Sequence, residues 1–106
     1  MSTMPQGAEC YARSPQFTHE NVPAKLTGVH TTKAGVWARL IVEDGEIVYT
    51  SIRDNYALRL QPGEPHLIEP QEEHFVEFAK PGAFHLEFYK LPVLENLEWL
   101  ETSQDE

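Results

Sequence analysis

"VWARLIVEDGEIVYTSI", Val36 to Ile52, decides how this chain is read. Its first seven residues, Val36–Val42, are apolar and β-branched, with Trp37 and Arg39 interrupting one face. A second run of the same kind, Glu46–Ile52, follows. Between them stands Asp44-Gly45, a dipeptide suited to a two-residue type I′ turn because both central positions need φ > 0. The spacing predicts a β-hairpin that reverses at Asp44-Gly45.

Downstream, short apolar runs alternate with turn residues. Tyr56–Leu60 reads as a strand between Asp54-Asn55 and Pro62-Gly63. His66–Pro70 is another, stopped by Pro70, and His74–Ala79 is the next. "KPGA", Lys80–Ala83, reads as a turn. "FHLEFYKL" is the last strand, ended by Pro92. Side chains alternate between two faces along a strand, so Phe84, Leu86 and Phe88 share one face, and His85, Glu87 and Tyr89 the other. Upstream, Pro23 interrupts "HENVPAKL", which reads as an extended connector. Residues 1–16 are rich in Ser, Pro, Gln and Gly and read as an arm, disordered or packed over an edge. In residues 93–106, Leu94, Leu97 and Leu100 fall three apart among glutamates, the pattern of a short amphipathic helix or a frayed acidic tail. Short strands joined by Gly/Pro turns predict one all-β domain over residues 1–106, a small barrel or sandwich.

Composition narrows the function classes. The chain has 106 residues, 8 Lys+Arg against 17 Asp+Glu, and a formal net charge of -9. Duplex nucleic acid and anionic membranes need a basic patch, which eight scattered cations do not supply. No apolar run approaches the roughly 20 residues that span a bilayer, and no secretory signal pattern is visible. The expectation is a cytoplasmic protein that binds neither nucleic acid nor membrane. The single cysteine, Cys10, excludes an internal disulfide, a zinc finger and a CxxC redox site. No serine stands in a GxSxG elbow, and Cys10 has no evident base, so catalysis would have to be metal-assisted.

Three pieces of the chain carry a resemblance: "HTTKAGVW" (His30–Trp37), "IEPQEEH" (Ile68–His74) and "LEFY" (Leu86–Tyr89). Together they resemble the small YeaR-like domain, which also occurs attached to tellurite-resistance B (TehB) methyltransferases; the resemblance covers about Tyr11 to Lys90. It implies a cupin-like double-stranded β-helix and a stress-response role connected with tellurite or another oxyanion. Methyl transfer is not carried over, because it needs a nucleotide-binding α/β unit with a glycine-rich loop, and none is present here.

Compared with cupins at large, "GEPHLIEPQEEH" (Gly63–His74) is spaced like their second motif, with Pro70 one position late and Phe78 where an Asn is expected. Of their first motif only His30 remains, and Ala38 stands where a Glu would fall. That leaves Glu87 to supply the carboxylate of a metal site. In a small barrel, inward positions on different strands converge, so His30, His74 and Glu87 form a candidate facial triad, with His85 as a fourth ligand. The ion would be divalent: Zn, Fe, Mn or Ni. The plainer reading is a hydrogen-bonded polar network, with Glu87 the partner of Lys33 or Arg39. Lys33, Glu69 and Arg39 are candidate pocket or anion contacts; Lys33 serves equally as a solvated loop residue. His66 reads as a surface or pocket-rim residue and His19 as solvated. Three functions follow: a binding or sensing module for a metal and a small anion, a metal-dependent dioxygenase- or isomerase-like enzyme, or a metal-free association module. Edge pairing between copies predicts a homodimer.

Overall fold

The computed structural model describes residues 3–92 of the chain. The helix expected around Leu94–Leu100 lies outside them. The described chain is mostly β: β1 (Glu9–Arg13), β2 (Phe17–Thr18), β3 (Trp37–Ser51), β4 (Tyr56–Leu60), β5 (His66–Ile68) and β6 (His74–Lys90), with one short helix, α1 (Ala24–Thr27).

The hairpin predicted at Asp44-Gly45 does not form. β3 runs straight through the dipeptide, and β6 runs straight through "KPGA". The two long strands lie antiparallel along their whole lengths, Trp37 opposite Tyr89 at one end and Ser51 opposite His74 at the other. Both turn signals fall at the same level of this ladder, where its register shifts between Val42 and Ile47. Gly45 takes φ +78, and a Cβ there would lie 2.4 Å from the Pro81 carbonyl oxygen. A Cβ on Gly82 would lie 2.0 Å from the Asp44 carbonyl oxygen. Each dipeptide spends its conformational freedom on a bulge that admits the other, so the ribbon bends instead of reversing. The bulge also resets the side-chain alternation: Ala38, Leu40 and Val42 are buried before it, Ile47, Tyr49 and Ser51 after it. Glu46, buried at the bend, is neutralised by Arg59 at 3.0 Å and Lys80 at 3.7 Å.

Strand order is β1-β6-β3-β4, with β2 paired to β6 and β5 to β3. This is an open antiparallel sheet with β1 and β4 at its edges; the closed barrel that the sequence suggested is not what the pairing describes. The core gathers apolar residues from both halves of the ribbon, Leu40, Val42, Phe84 and Leu86 from one, Ile47, Tyr49 and Val76 from the other. Phe78 and Phe84 meet across the bend at 5.6 Å between ring centroids. Within the arm expected to be disordered or packed over an edge, the second alternative holds for Glu9–Arg13, which pair with Glu87–Lys90. The connector read as extended contains α1, which begins immediately after Pro23. Pro is tolerated at a helix start, since its missing N–H has no intrahelical partner there, and Leu26 then drops into the core.

Candidate functional site

The site begins with a two-residue pairing. His30 and His74 form an isolated antiparallel bridge, His30 N–H donating to His74 C=O at 2.9 Å and His74 N–H to His30 C=O at 3.0 Å. Residues directly opposite in such a pair project to the same side. The two imidazoles therefore lie together, 4.2 Å between centroids. His74 opens β6 and is 2% exposed; His30 sits on the loop after α1 and is half-buried.

Each ring is held by a backbone carbonyl. His30 Nδ1 lies 2.9 Å from Gly28 O, and His74 Nδ1 lies 2.6 Å from Glu72 O. A carbonyl oxygen only accepts, so both Nδ1 atoms carry the proton. Burial pushes the His74 pKa below the ordinary histidine value, against the pull of its bond to the Glu72 carbonyl; the neighbouring His30 lowers it further.

The two rings stand on the wall of a cavity of about 470 Å³. Its floor is apolar: Leu26, Val36, Ala38, Ile68, Leu86 and Phe88. β1 and its following loop close one side with Tyr11 and Ser14, and the Ser14 hydroxyl accepts from the Leu86 N–H at 2.9 Å. Lys25 and Lys33 are the charged side chains of the lining, and neither forms an ion pair among the described residues. Thr32 ties the cavity loop down, donating to Val36 O at 2.9 Å and accepting from the Gln71 N–H at 3.2 Å.

Behind His74 lies a buried polar cluster. Tyr49 stacks on His74 at 5.2 Å and meets the His66 ring at a tilt, 4.4 Å between centroids. Its hydroxyl lies beside Glu72 without a hydrogen bond of sound geometry. Burial raises the Tyr49 pKa, the Glu72 charge adds to the rise, and the same two causes lift Tyr56 to about 12. Burial would also raise the Glu72 carboxyl. The Glu69 amide, donating at 3.0 Å, with the nearby Ser51 hydroxyl and the Arg53 charge, more than offsets this and holds it below the usual range. Burial depresses His66 as well. Arg53 closes the cluster from outside, 2.6 Å from Glu69 and 2.8 Å from Asp54, so this trio of carboxylates already has its cation.

The four residues read as one ligand set divide between two places. His30 and His74 meet in the cavity. Glu87 and His85 alternate with Leu86 and Phe88 and so face the other side of the sheet. There His85 Nδ1 lies 2.5 Å from Glu43, and Glu87 accepts from the Tyr89 hydroxyl at 2.8 Å and from Arg13 at 3.4 Å. The Tyr89 bond, then Arg13, lowers the Glu87 pKa; the Gln16 amide, then His85, lowers that of Glu43. The cage of His30, His74, Glu87 and His85 is therefore not assembled, because strand alternation sends its second half outward. Arg39 joins that outer group, 5.3 Å from the Tyr89 ring centroid, and Glu69 is the partner of Arg53; of the three candidate contacts only Lys33 lines the cavity. Lys25 and Tyr11 were missed: the one lies on a helix read as a connector, the other in a segment read as an arm. His66, read as surface or rim, is half-buried against Tyr49.

A mostly apolar cavity with a few convergent polar groups is the common form of a small-molecule pocket. Residues 12–86 match the family model of the TehB-like domain, and the chain belongs to that family. It is 33% identical over 76 residues to the probable S-adenosyl-L-methionine-dependent methyltransferase TehB of Haemophilus influenzae strain Rd, covering 72% of this chain and 24% of that protein. A TehB of strain 10810 matches to the same extent. The chain thus spans about a quarter of the length of these curated relatives. The crystal structure of H. influenzae TehB superposes with a TM-score of 0.75 at 26% identity, over 83% of this chain and 33% of that one. A crystal structure of a protein from E. coli strain K12 superposes with a TM-score of 0.79 at 22% identity, over 88% of this chain and all of the other, and shows the shared fold.

Proposed function

We propose that this TehB-like domain is a binding module for a small anionic molecule held in the His30–His74 cavity. The observation that carries the reading is the placing of Lys25 and Lys33, without carboxylate partners among the described residues, on the rim of a mostly apolar cavity. A cavity of about 470 Å³ falls in the range of small-molecule pockets, roughly 300–1,000 Å³. The tellurite-resistance association of the family makes an oxyanion one member of the ligand class. The lining supports a molecule with an apolar body more strongly, since a bare oxyanion leaves Leu26, Val36, Leu86 and Phe88 unused.

A cupin-type metal centre fits these residues poorly. Two imidazoles remain of the four-residue set, and the charged side chains that share their cavity lining are lysines, which oppose a divalent cation. Methyl transfer belongs to relatives of which this chain spans a quarter, and no step of it is assigned to these residues. A cytoplasmic setting is part of the same reading; among the described residues no helix is long and apolar enough to cross a membrane. So is pairing of two copies along β4, whose outer edge has no strand beside it among the described residues.

The test is calorimetric titration with sodium tellurite, phosphate and 3-(4-hydroxyphenyl)propanoate, on the natural chain and on Lys25→Met/Lys33→Met. Both cations are exposed, and removing the two together weakens anion binding by about tenfold or more if they hold the ligand. Equal affinity in the natural and doubly substituted chains would overturn the reading.

A further inference from the structure

We propose that the ligand carries a hydrogen-bond donor separate from its anionic group, and that His30 Nε2 and His74 Nε2 accept from it. The inference rests on the binding reading above and names the chemistry of the ligand's buried end.

Gly28 O and Glu72 O each accept a hydrogen bond from Nδ1–H of their histidine. In a neutral imidazole with Nδ1 protonated, Nε2 has a lone pair and no hydrogen. Neither Nε2 has a hydrogen-bond partner among the described residues, although both rings line the cavity. Two acceptors cannot satisfy each other, so the pair at 4.2 Å is a place where a donor is missing. In the free protein that donor would come from solvent water. A hydroxyl, amide or amine of a ligand supplies it on binding, and a ligand that displaces the water without a donor loses the exchange.

The rest of the lining sets the remainder of the ligand. Lys25 and Lys33 supply positive charge, and Phe88, Leu86 and Val36 supply an apolar middle. The ligand class is therefore a hydroxylated or amidated organic acid with a short apolar body: charge toward the lysines, carbon on the floor, donor on the imidazoles. A divalent cation would use the same lone pairs but would meet the two ammonium groups as its remaining charged neighbours.

The experiment uses a matched pair on the full chain: 3-(4-hydroxyphenyl)propanoate and its methyl ether, 3-(4-methoxyphenyl)propanoate. They share charge and carbon body and differ in one donor. The hydroxy acid is expected to bind at least about tenfold more tightly, since a site built to receive a donor rejects the analogue lacking it. The gap is expected to close in His30→Phe, which keeps the ring and removes the acceptor. Long-range ¹⁵N–¹H NMR of the histidine rings in the free protein supplies a readout independent of ligand and of variant folding. It should show Nδ1 protonated and Nε2 bare on His30 and His74, with the Nε2 resonances moving on addition of the hydroxy acid.

Equal affinities for the pair, or a proton on either Nε2 in the free protein, overturn the donor inference. They leave the anion reading standing, provided the lysine substitutions still weaken both acids. Failure of both acids to bind overturns the two readings together.

Discussion

His74 and His85 lie on the same strand, and as letters in the sequence they are equivalent candidates for a ligand. The fold gives them different chemistry. His74 is buried with its Nδ1 on a backbone carbonyl, and its second nitrogen opens onto a cavity. His85 is half-buried on the opposite face, with its Nδ1 on the Glu43 carboxylate and its Nε2 3.9 Å from Glu87. A carbonyl has no charge to neutralise and leaves the ring neutral with a lone pair to offer. A carboxylate takes up the first ring nitrogen in a polar group that also ties down residues 13–16, through Gln16 on Glu43 and Arg13 on Glu87. The partner of the first nitrogen decides what the second can do.

The contrast exists only while the bent ribbon keeps the two histidines on opposite faces, and the largest effect comes from attacking the bend. Gly82→Val puts carbon where the Asp44 carbonyl already is, and should cost about 3 kcal/mol or more, read as a fall in the urea midpoint. A stability change under about 1 kcal/mol would mean that the strands part easily at this point. Next in size is the direct comparison. His74→Ala removes a buried ring packed on Tyr49 and His30 and should cost about 2–3 kcal/mol and abolish binding of the hydroxy acid. His85→Ala removes a partly exposed pair, should cost less than about 1 kcal/mol, and should leave the cavity's affinity unchanged.

The pH dependence sharpens the same contrast at smaller amplitude. The folded-state pKa values of His74 and His66 lie below the ordinary 6.5, so below that pH the unfolded chain binds more protons. Their destabilising contribution is absent above about pH 7 and grows as pH falls through 6.5 toward the folded values. A further loss sets in below 4.5, as Glu43, Glu72 and Glu87, whose folded values are depressed, are forced to protonate. Urea midpoints measured from about pH 8 to pH 5 should fall on the acid side, and His66→Gln/His74→Gln should flatten that fall. The smallest effect is Tyr49→Phe. Its hydroxyl has no sound hydrogen bond, so its loss should change stability by less than about 0.5 kcal/mol or raise it slightly. A loss above about 1 kcal/mol would show that the Glu72 contact is a working bond.

Local chemistry was legible in the sequence where it depends on alternation. Phe84, Leu86 and Phe88 against His85, Glu87 and Tyr89 is the observed division of the last strand, and the three quoted motifs fall within or beside the span that matches the TehB-like family. The same alternation, applied to Glu87, would have kept it out of any pocket floored by Leu86; the cage idea overrode it. Asp44-Gly45 misled for a different reason. A Gly at φ > 0 serves a turn or a bulge equally well, and only the partner strand, with Gly82 at the matching level, selects between them. Nothing local to residues 36–52 carries that information. Lys25 is a third kind of miss: it reaches the cavity only because a four-residue helix after Pro23 sinks Leu26 into the core, and so short a segment has no periodicity to read.

The Ser14 clip has a practical corollary. The cavity's flank is an edge strand near the start of the chain, held by its ladder to β6 and by a side-chain hydroxyl. Anything fused or tethered ahead of residue 9 pulls on that flank first. Immobilising the protein by its leading end would therefore load the wall of the compartment being measured, and affinities recorded on such a surface should differ from those of the untethered molecule.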